Sequence, residues 1–383
     1  MSTLKVDAIR HNSATSDAIT THSDGTASAK IIDIGGQQLS NRNLLINGDM
    51  QISQRNGTAS AAVVGNTYTL DRWQSVNDAG SSKFTVQQVT DAPVGFYNSL
   101  KMTSSSAYTP TSTEVFGIGQ KIEGKNTNWL MFGSSNAKSI TISFFVKSSL
   151  TGTFNGSVLN ADMLRGYPWT YTISSANTWE YKTVTVAGSQ DGTWHNDSRE
   201  GMRIFWNFGS GTYRSGTAGQ WSTTQYTFGA TGATQAVATN GATLQITGCQ
   251  VEVGGTATTF EHRSIGEEFA RCQRYYQQYV NISAVGYVPN NSSRTYSHGF
   301  FFPVEMRAAP TMSITNTGSS NGQYITDGAT NRYVSSVLSQ GSKTTHMSVS
   351  FNISGDLSDY RGAYLFGTEN TTYQTTYKID AEI

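Results

Sequence analysis

The segment Glu261–Val280, EHRSIGEEFARCQRYYQQYV, interrupts a chain that otherwise reads as short strands separated by Ser, Thr, Gly and Asn. Ser264 followed by Glu267 is a capping box, in which a hydroxyl satisfies an amide that the first helical turn leaves without a partner. The pattern predicts a helix over 263–280 with an apolar stripe at Ile265, Phe269, Cys272, Tyr276 and Tyr279. That stripe alternates steps of four and three, the spacing of a heptad seam. A stripe this short suits two partners, and from the residues alone the chain's own strands are favoured over the same helix of other copies.

Strand signals flank the segment on both sides. Upstream, SITISFFV alternates at Ile140, Ile142, Phe144 and Val146, and WEYKTVTV and GMRIFWNF are rich in β-branched and aromatic residues. TLQITGCQVEV places Leu244 and Ile246 in one phase and Cys249, Val251 and Val253 in the other. A slip of one residue would turn every later side chain to the wrong face, so a β-bulge is expected at Gly248. Downstream, THMSVSFNI and YKIDAEI alternate in the same way. All seven tryptophans lie between Trp73 and Trp221, whereas most tyrosines follow Tyr275. This shift in aromatic usage predicts two β domains, a central β-sandwich or jelly roll over 41–262 and a second β-sandwich over 281–383, joined by the helix. Residues 1–40 hold too little apolar bulk for a core; they suit one hairpin, turning at Asp24-Gly25, in an anchor that orders on a partner or in a loose tail.

Composition narrows the function. Only 14% of residues are charged, against about 25% in ordinary soluble chains, and 26 basic residues balance 26 acidic ones. A neutral chain without basic runs lacks the field that nucleic acid or an anionic membrane surface requires. No apolar run is long enough for a spanning helix, and no apolar stretch after Met1 indicates a secretory leader. Neither nucleic acid binding nor membrane insertion is expected. Cys249 and Cys272 do not make a disulfide framework.

Motifs for chemistry are sparse. Gly318-Ser319-Ser320-Asn321-Gly322 fits G-x-S-x-G, but no helix pattern follows it, and a nucleophile elbow needs one. The six histidines form no zinc pattern, and no phosphate-binding glycine motif is present, so no catalytic residue, metal or cofactor is expected. Adjacent Glu267 and Glu268 suit a helix N-terminus, where carboxylates favour the macrodipole. Aromatic loops beside polar groups could stack on sugar rings or simply fill a core. They include Trp169 in RGYPWTY, Trp194 in DGTWHND, and Tyr287, Asn290, Asn291, Arg294 and Tyr296 in YVPNNSSRTYSHG.

Four blocks resemble the tail fibre proteins of bacteriophages and prophages. NRNLLINGDMQISQRN with YTLDRWQ looks like the opening of a β-sandwich module of such fibres, and GCQVEVGGTATTFEHRSIGEEFARCQRYY like its closing strand and following helix. FPVEMRAAPTMSI and YKIDAEI are similar to their C-terminal domain, and MSTLKVDAI…HSDGTASAKI to the N-terminal segment that attaches to a tail. The resemblance implies a homotrimeric, non-enzymatic virion protein, assembled in the host cytoplasm and carried on the phage tail. It would be held to tail tube or adaptor proteins by residues 1–40 and would recognise bacterial surface glycan, with residues 281–383 as the receptor-facing tier. It also favours the seam reading of Ile265, Phe269, Cys272, Tyr276 and Tyr279. Long shaft repeats, usual in such fibres, are missing. A tailspike-like depolymerase and a purely structural adaptor are the alternatives.

Overall fold

A computed structural model describes residues 41–280 without a break. Beyond these it describes 6, 8–9, 19–23, 27–29, 284–287, 294–316, 324–326, 331–353, 362–366 and 375–383. The first tier packs two six-stranded antiparallel sheets face to face. One runs, in spatial order, Glu180–Val186, Ile140–Ser148, Thr243–Val253, Ser99–Ser104, Phe84–Val89 and Ala61–Ala62. The other runs Gly166–Ile173, Gly152–Asn160, Glu200–Ser210, Val115–Glu123, Trp73–Asn77 and Gly65–Leu70. The chain crosses repeatedly between the sheets, as in a jelly roll, and the fold is mainly β.

Alternation explains the core. Ile140, Ile142, Phe144 and Val146 all point inward and are fully buried. They meet Trp206, whose ring lies 5.4 Å from Trp73, 5.5 Å from Phe144 and 5.8 Å from Trp169. Such aromatic pairs add about 0.5–1.5 kcal/mol each beyond the area they bury. The slip in TLQITGCQVEV is the expected bulge. Ser143 pairs with Gln250 and Phe145 with Thr247, so Gly248 and Cys249 together face Phe144. Gly248 sits at φ +59°, a left-handed conformation that glycine adopts without steric cost.

The second tier pairs a three-stranded sheet (Tyr276–Val280, Thr375–Asp380, Thr311–Asn316) with a six-stranded one around Phe300, Met347, Val349, Phe351 and Tyr377. At the N-terminus the strands Ile19–Thr21 and Ala27–Ala29 pair as a hairpin; Asp24 and Gly25 fall outside the described residues, as does the 318–322 motif.

The segment between the tiers differs from the sequence reading. Ser264 Oγ accepts from the Glu267 amide at 3.3 Å, so the cap is present, but the helix spans only Ile265–Gln273. Tyr276–Val280 is a strand, antiparallel to Thr375–Asp380. The ladder with that distant strand wins over helix continuation, since Tyr and Val suit a half-buried pleated surface. Tyr276 and Tyr279 therefore leave the helical stripe. Cys272 packs within the chain against Ile46, Ile52 and Tyr275. Only Ile265 and Phe269 of the five seam positions stay exposed, so no continuous helical seam exists over 265–279. Glu268 is also more than a dipole partner. It is buried, accepts from the Asn47 amide and pairs with Arg263 at 3.2 Å.

Side chains then bolt the tiers together. Glu123, buried on the first tier, accepts from Tyr275 Oη at 2.9 Å and from Arg274 Nη2 at 2.7 Å. The Arg72 guanidinium lies 3.5 Å from the Tyr275 ring centroid and pairs with Glu382. Arg55 lies over Tyr276 and pairs with Asp380 at 3.0 Å and Glu382 at 3.3 Å. Arg307 donates to the main-chain oxygens of Ser198, Ala381 and Glu382.

This interior makes stability sensitive to alkali. Burial pushes the Cys249 and Cys272 thiols well above 9.0, and the phenol groups of Tyr275 and Tyr276 upward, the latter to about 12. Groups whose folded pKa is raised bind protons that the unfolded chain releases, so stability falls as pH climbs past their ordinary values. Lys121 works the other way. Burial, then the charge of Arg203, lowers it from 10.5 to about 8, so stability gained from it rises between those pH values. The two effects offset each other up to about pH 10, after which the tyrosines add to the loss. Urea unfolding should show similar midpoints at pH 7 and 9, then a fall of several kcal/mol by about pH 11. A flat alkaline limb would contradict this account.

Candidate functional site

The two sheets of the first tier present different outer faces. That of the second sheet is covered on one side by Tyr226, Phe228 and Met163 and on the other by Tyr275, Arg307 and the tail 381–383. That of the first sheet is open, and its register lays side chains out in rows. Phe145 pairs with Tyr181 on one side and Thr247 on the other. Two residues along, Lys147 pairs with Gln245, Gln245 with Lys101, and Lys101 with Gln87. An aromatic row thus runs beside a hydrogen-bonding row.

Loops deepen the aromatic row into a groove. The Phe96 ring lies 5.4 Å from Phe145, 5.2 Å from Phe260 and 5.3 Å from His262, and Phe145 lies 5.0 Å from Tyr181. The bulge makes room for this packing: a Cβ on Gly248 would stand 2.6 Å from Phe96 Cζ. The open cavity holds about 470 Å³, with Thr258 and Thr259 along its rim. Tyr181 is 47% exposed, so its ring is offered to solvent. In the polar row, Asp91 pairs with Lys147 and accepts from Gln245 at 3.2 Å and Trp179 Nε1 at 3.3 Å. Burial pushes the Asp91 carboxyl up, but the hydrogen bonds from Lys147, Gln245 and Trp179 outweigh it and hold it below the usual carboxylate range. Rigid aromatic faces beside pre-oriented amide, carboxylate and ammonium groups can take a polar ligand with apolar faces.

The residues singled out from sequence fall elsewhere. Trp169 is 1% exposed and sits in the sandwich core, because the strand Gly166–Ile173 turns it inward against Phe144 and Trp206. It offers no surface for a sugar. Trp194 is half-buried, perpendicular to Phe132 at 4.9 Å, and lines a separate recess of about 320 Å³ with Asn128, His195 and Asn196. Tyr287, Arg294 and Tyr296 lie on the strands Ala284–Tyr287 and Arg294–Phe301, with side chains outside the described residues, as are Asn290 and Asn291 entirely. The groove residues Phe96, Phe145, Tyr181, Phe260 and His262 were not among them. One signal was available: Phe145 and Tyr181 are aromatic residues in the outward phase of alternating strands. Among the described residues, no three His, Cys, Asp or Glu side chains gather as a metal site, and no helix is long and apolar enough to cross a membrane.

No family model and no curated protein sequence matches the chain. Among solved structures, the chain is similar to the enzymatically active domain of tailspike protein 4 of bacteriophage CBA120, at 12% identity and a TM-score of 0.28. That match covers 55% of this chain and 21% of the tailspike. The family 11 carbohydrate-binding module of a Clostridium thermocellum cellulase matches at 14% identity and a TM-score of 0.24, over 55% of this chain and all of the module. The module TmCBM61, solved with β-1,4-galactotriose, matches at 9% identity and a TM-score of 0.28, over 56% of this chain and 99% of the module. Likeness at this level assigns neither fold nor function to the chain.

Proposed function

We propose that the chain is a non-enzymatic phage tail fibre protein that adsorbs the virion to bacterial surface glycan through the groove on the open face of its first sheet. The observation that carries this reading is the aromatic row Tyr181–Phe145–Phe96–Phe260 laid beside the polar row Trp179–Lys147–Gln245–Lys101. Pyranose rings have one apolar face and a hydroxyl rim, which these rows meet in turn. The fibre-like sequence blocks at Asn41–Asn56 and Gly248–Tyr276 support the virion setting, with residues 1–40 attaching to the tail and three copies per fibre. Three shallow sites joined in one particle raise avidity by about 10²–10⁴ over one. The recognition surface then lies in the central tier, with the second tier locked to it through Glu123, Arg72 and Arg55.

The purified protein mixed with host surface polysaccharide on a sizing column tests this. Polymer should co-elute at its original length, and Phe145→Ala with Tyr181→Ala should cut the retained polymer at least tenfold, at roughly 1 kcal/mol or more per aromatic contact. Shortened polymer would make the protein a depolymerase. No retention would favour a structural adaptor.

A further inference from the structure

Between the two covers on the second sheet's outer face lies a notch of about 330 Å³, away from the aromatic groove. Val76, Val115 and Phe228 form its apolar floor, and Tyr226 one wall. Lys121, Arg203 and Arg214 all line it. Lys121 and Arg203 are direct cross-strand partners, an arrangement that repels unless an anion stands between or above them. Glu200 answers part of this, with Arg203 at 2.9 Å and Lys121 at 3.8 Å. Asp78 stands 3.9 Å from Arg214, beyond hydrogen-bond reach. Among the described residues the three cations have two side-chain carboxylates within 4 Å, Glu200 and Asp78.

Donor capacity is also unspent. Arg203 uses Nε and Nη2 on Glu200, and Nη1 meets only the Met163 sulphur at 3.9 Å. Arg214 places Nε on the Thr113 oxygen at 2.6 Å and its guanidinium 4.7 Å from the Tyr226 ring. Lys121 donates to the Ile383 main-chain oxygen at 2.7 Å and retains two further protons. Cationic donors over an apolar floor, screened from bulk water on two sides, strengthen a charge-assisted hydrogen bond to any anion that fits.

We propose that this notch binds one carboxylate or phosphate group carried on a sugar-sized molecule, with Arg203, Arg214 and Lys121 on the anion and Tyr226 against the ring. The site is distinct from the groove and stands whether or not the groove binds glycan. Titration of the full-length chain with glucuronate, glucose and inorganic phosphate, followed by calorimetry, tests it. In a chain whose groove is disabled by Phe145→Ala and Tyr181→Ala, glucuronate should bind in the millimolar range or tighter and glucose should not. Phosphate binding without glucuronate would assign the site to phosphate esters. Arg214→Gln should weaken the anion about tenfold with an unchanged melting temperature, and Phe145→Ala should leave it unaltered. Equal binding of glucose and glucuronate, or no binding of either anion at about 10 mM, overturns the proposal, as does an Arg214→Gln chain that binds like the parent.

Discussion

Glu382→Ala should destabilise the protein by about 3–5 kcal/mol, a large part of the stability of a chain this size. The reason lies in what remains. Arg72 is 1% exposed, and among the described residues its Nε has no hydrogen-bond partner and Glu382 is the one carboxylate paired with it. Without Glu382 the guanidinium keeps the Lys121 main-chain oxygen at 2.6 Å and the Tyr275 ring, neither of which neutralises a buried charge. Arg55 loses one of its two carboxylates in the same step. Replacing both partners, Arg72→Met with Glu382→Leu, should cost less than removing Glu382 alone, because no uncompensated ion is left. Urea unfolding of the three chains decides it, and a single-variant cost under about 1 kcal/mol would show that the tiers are held by something else.

Gly48→Ala should cost about 3 kcal/mol or more without any change of polarity. A Cβ there would lie 2.2 Å from the Cys249 carbonyl oxygen, a contact that a backbone atom cannot relieve by rotating away. The turn at Gly48 and the strand Thr243–Val253 must part. Parting stretches the hydrogen bond from the Cys249 amide to the Gly48 oxygen, 2.9 Å, and the one from Asn43 Nδ2 to the Cys249 oxygen, 3.0 Å. Gly57→Ala is the comparison: φ is +53° with nothing within 4 Å, so only backbone strain of about 1 kcal/mol applies. Equal melting temperatures for the two variants would mean that the Gly48 approach is looser than described.

Much of the first tier could be read before its structure. Period-two patterning placed Ile140, Ile142, Phe144 and Val146 inside, and the phase slip placed the bulge, because both follow from the geometry of a half-buried sheet. The cap at Ser264 was legible for the same local reason. The helix end was not. Tyr276 and Tyr279 fit a heptad step, but their partners Asp380 and Tyr377 lie a hundred residues downstream, where local pattern has no sight of them. Trp169 misled because RGYPWTY has the residues of a turn, whereas Pro168 sits where an edge strand tolerates it, and the strand's phase aims the indole inward. The groove was the least legible part. Phe145 came from a strand, Phe96 and Phe260 from separate loops, and only the fold gathers them.

The return of residues 380–382 to Arg55 and Arg72 carries a consequence for biosynthesis. A ribosome delivers the first tier long before the carboxylates that neutralise its buried guanidinium emerge. Until then that surface stays an open, charged wound, available to chaperones and proteases. A chain broken off before residue 380 would never close it. Both guanidiniums of the first tier thus depend, for neutralisation, on carboxylates that are among the last residues to be synthesised.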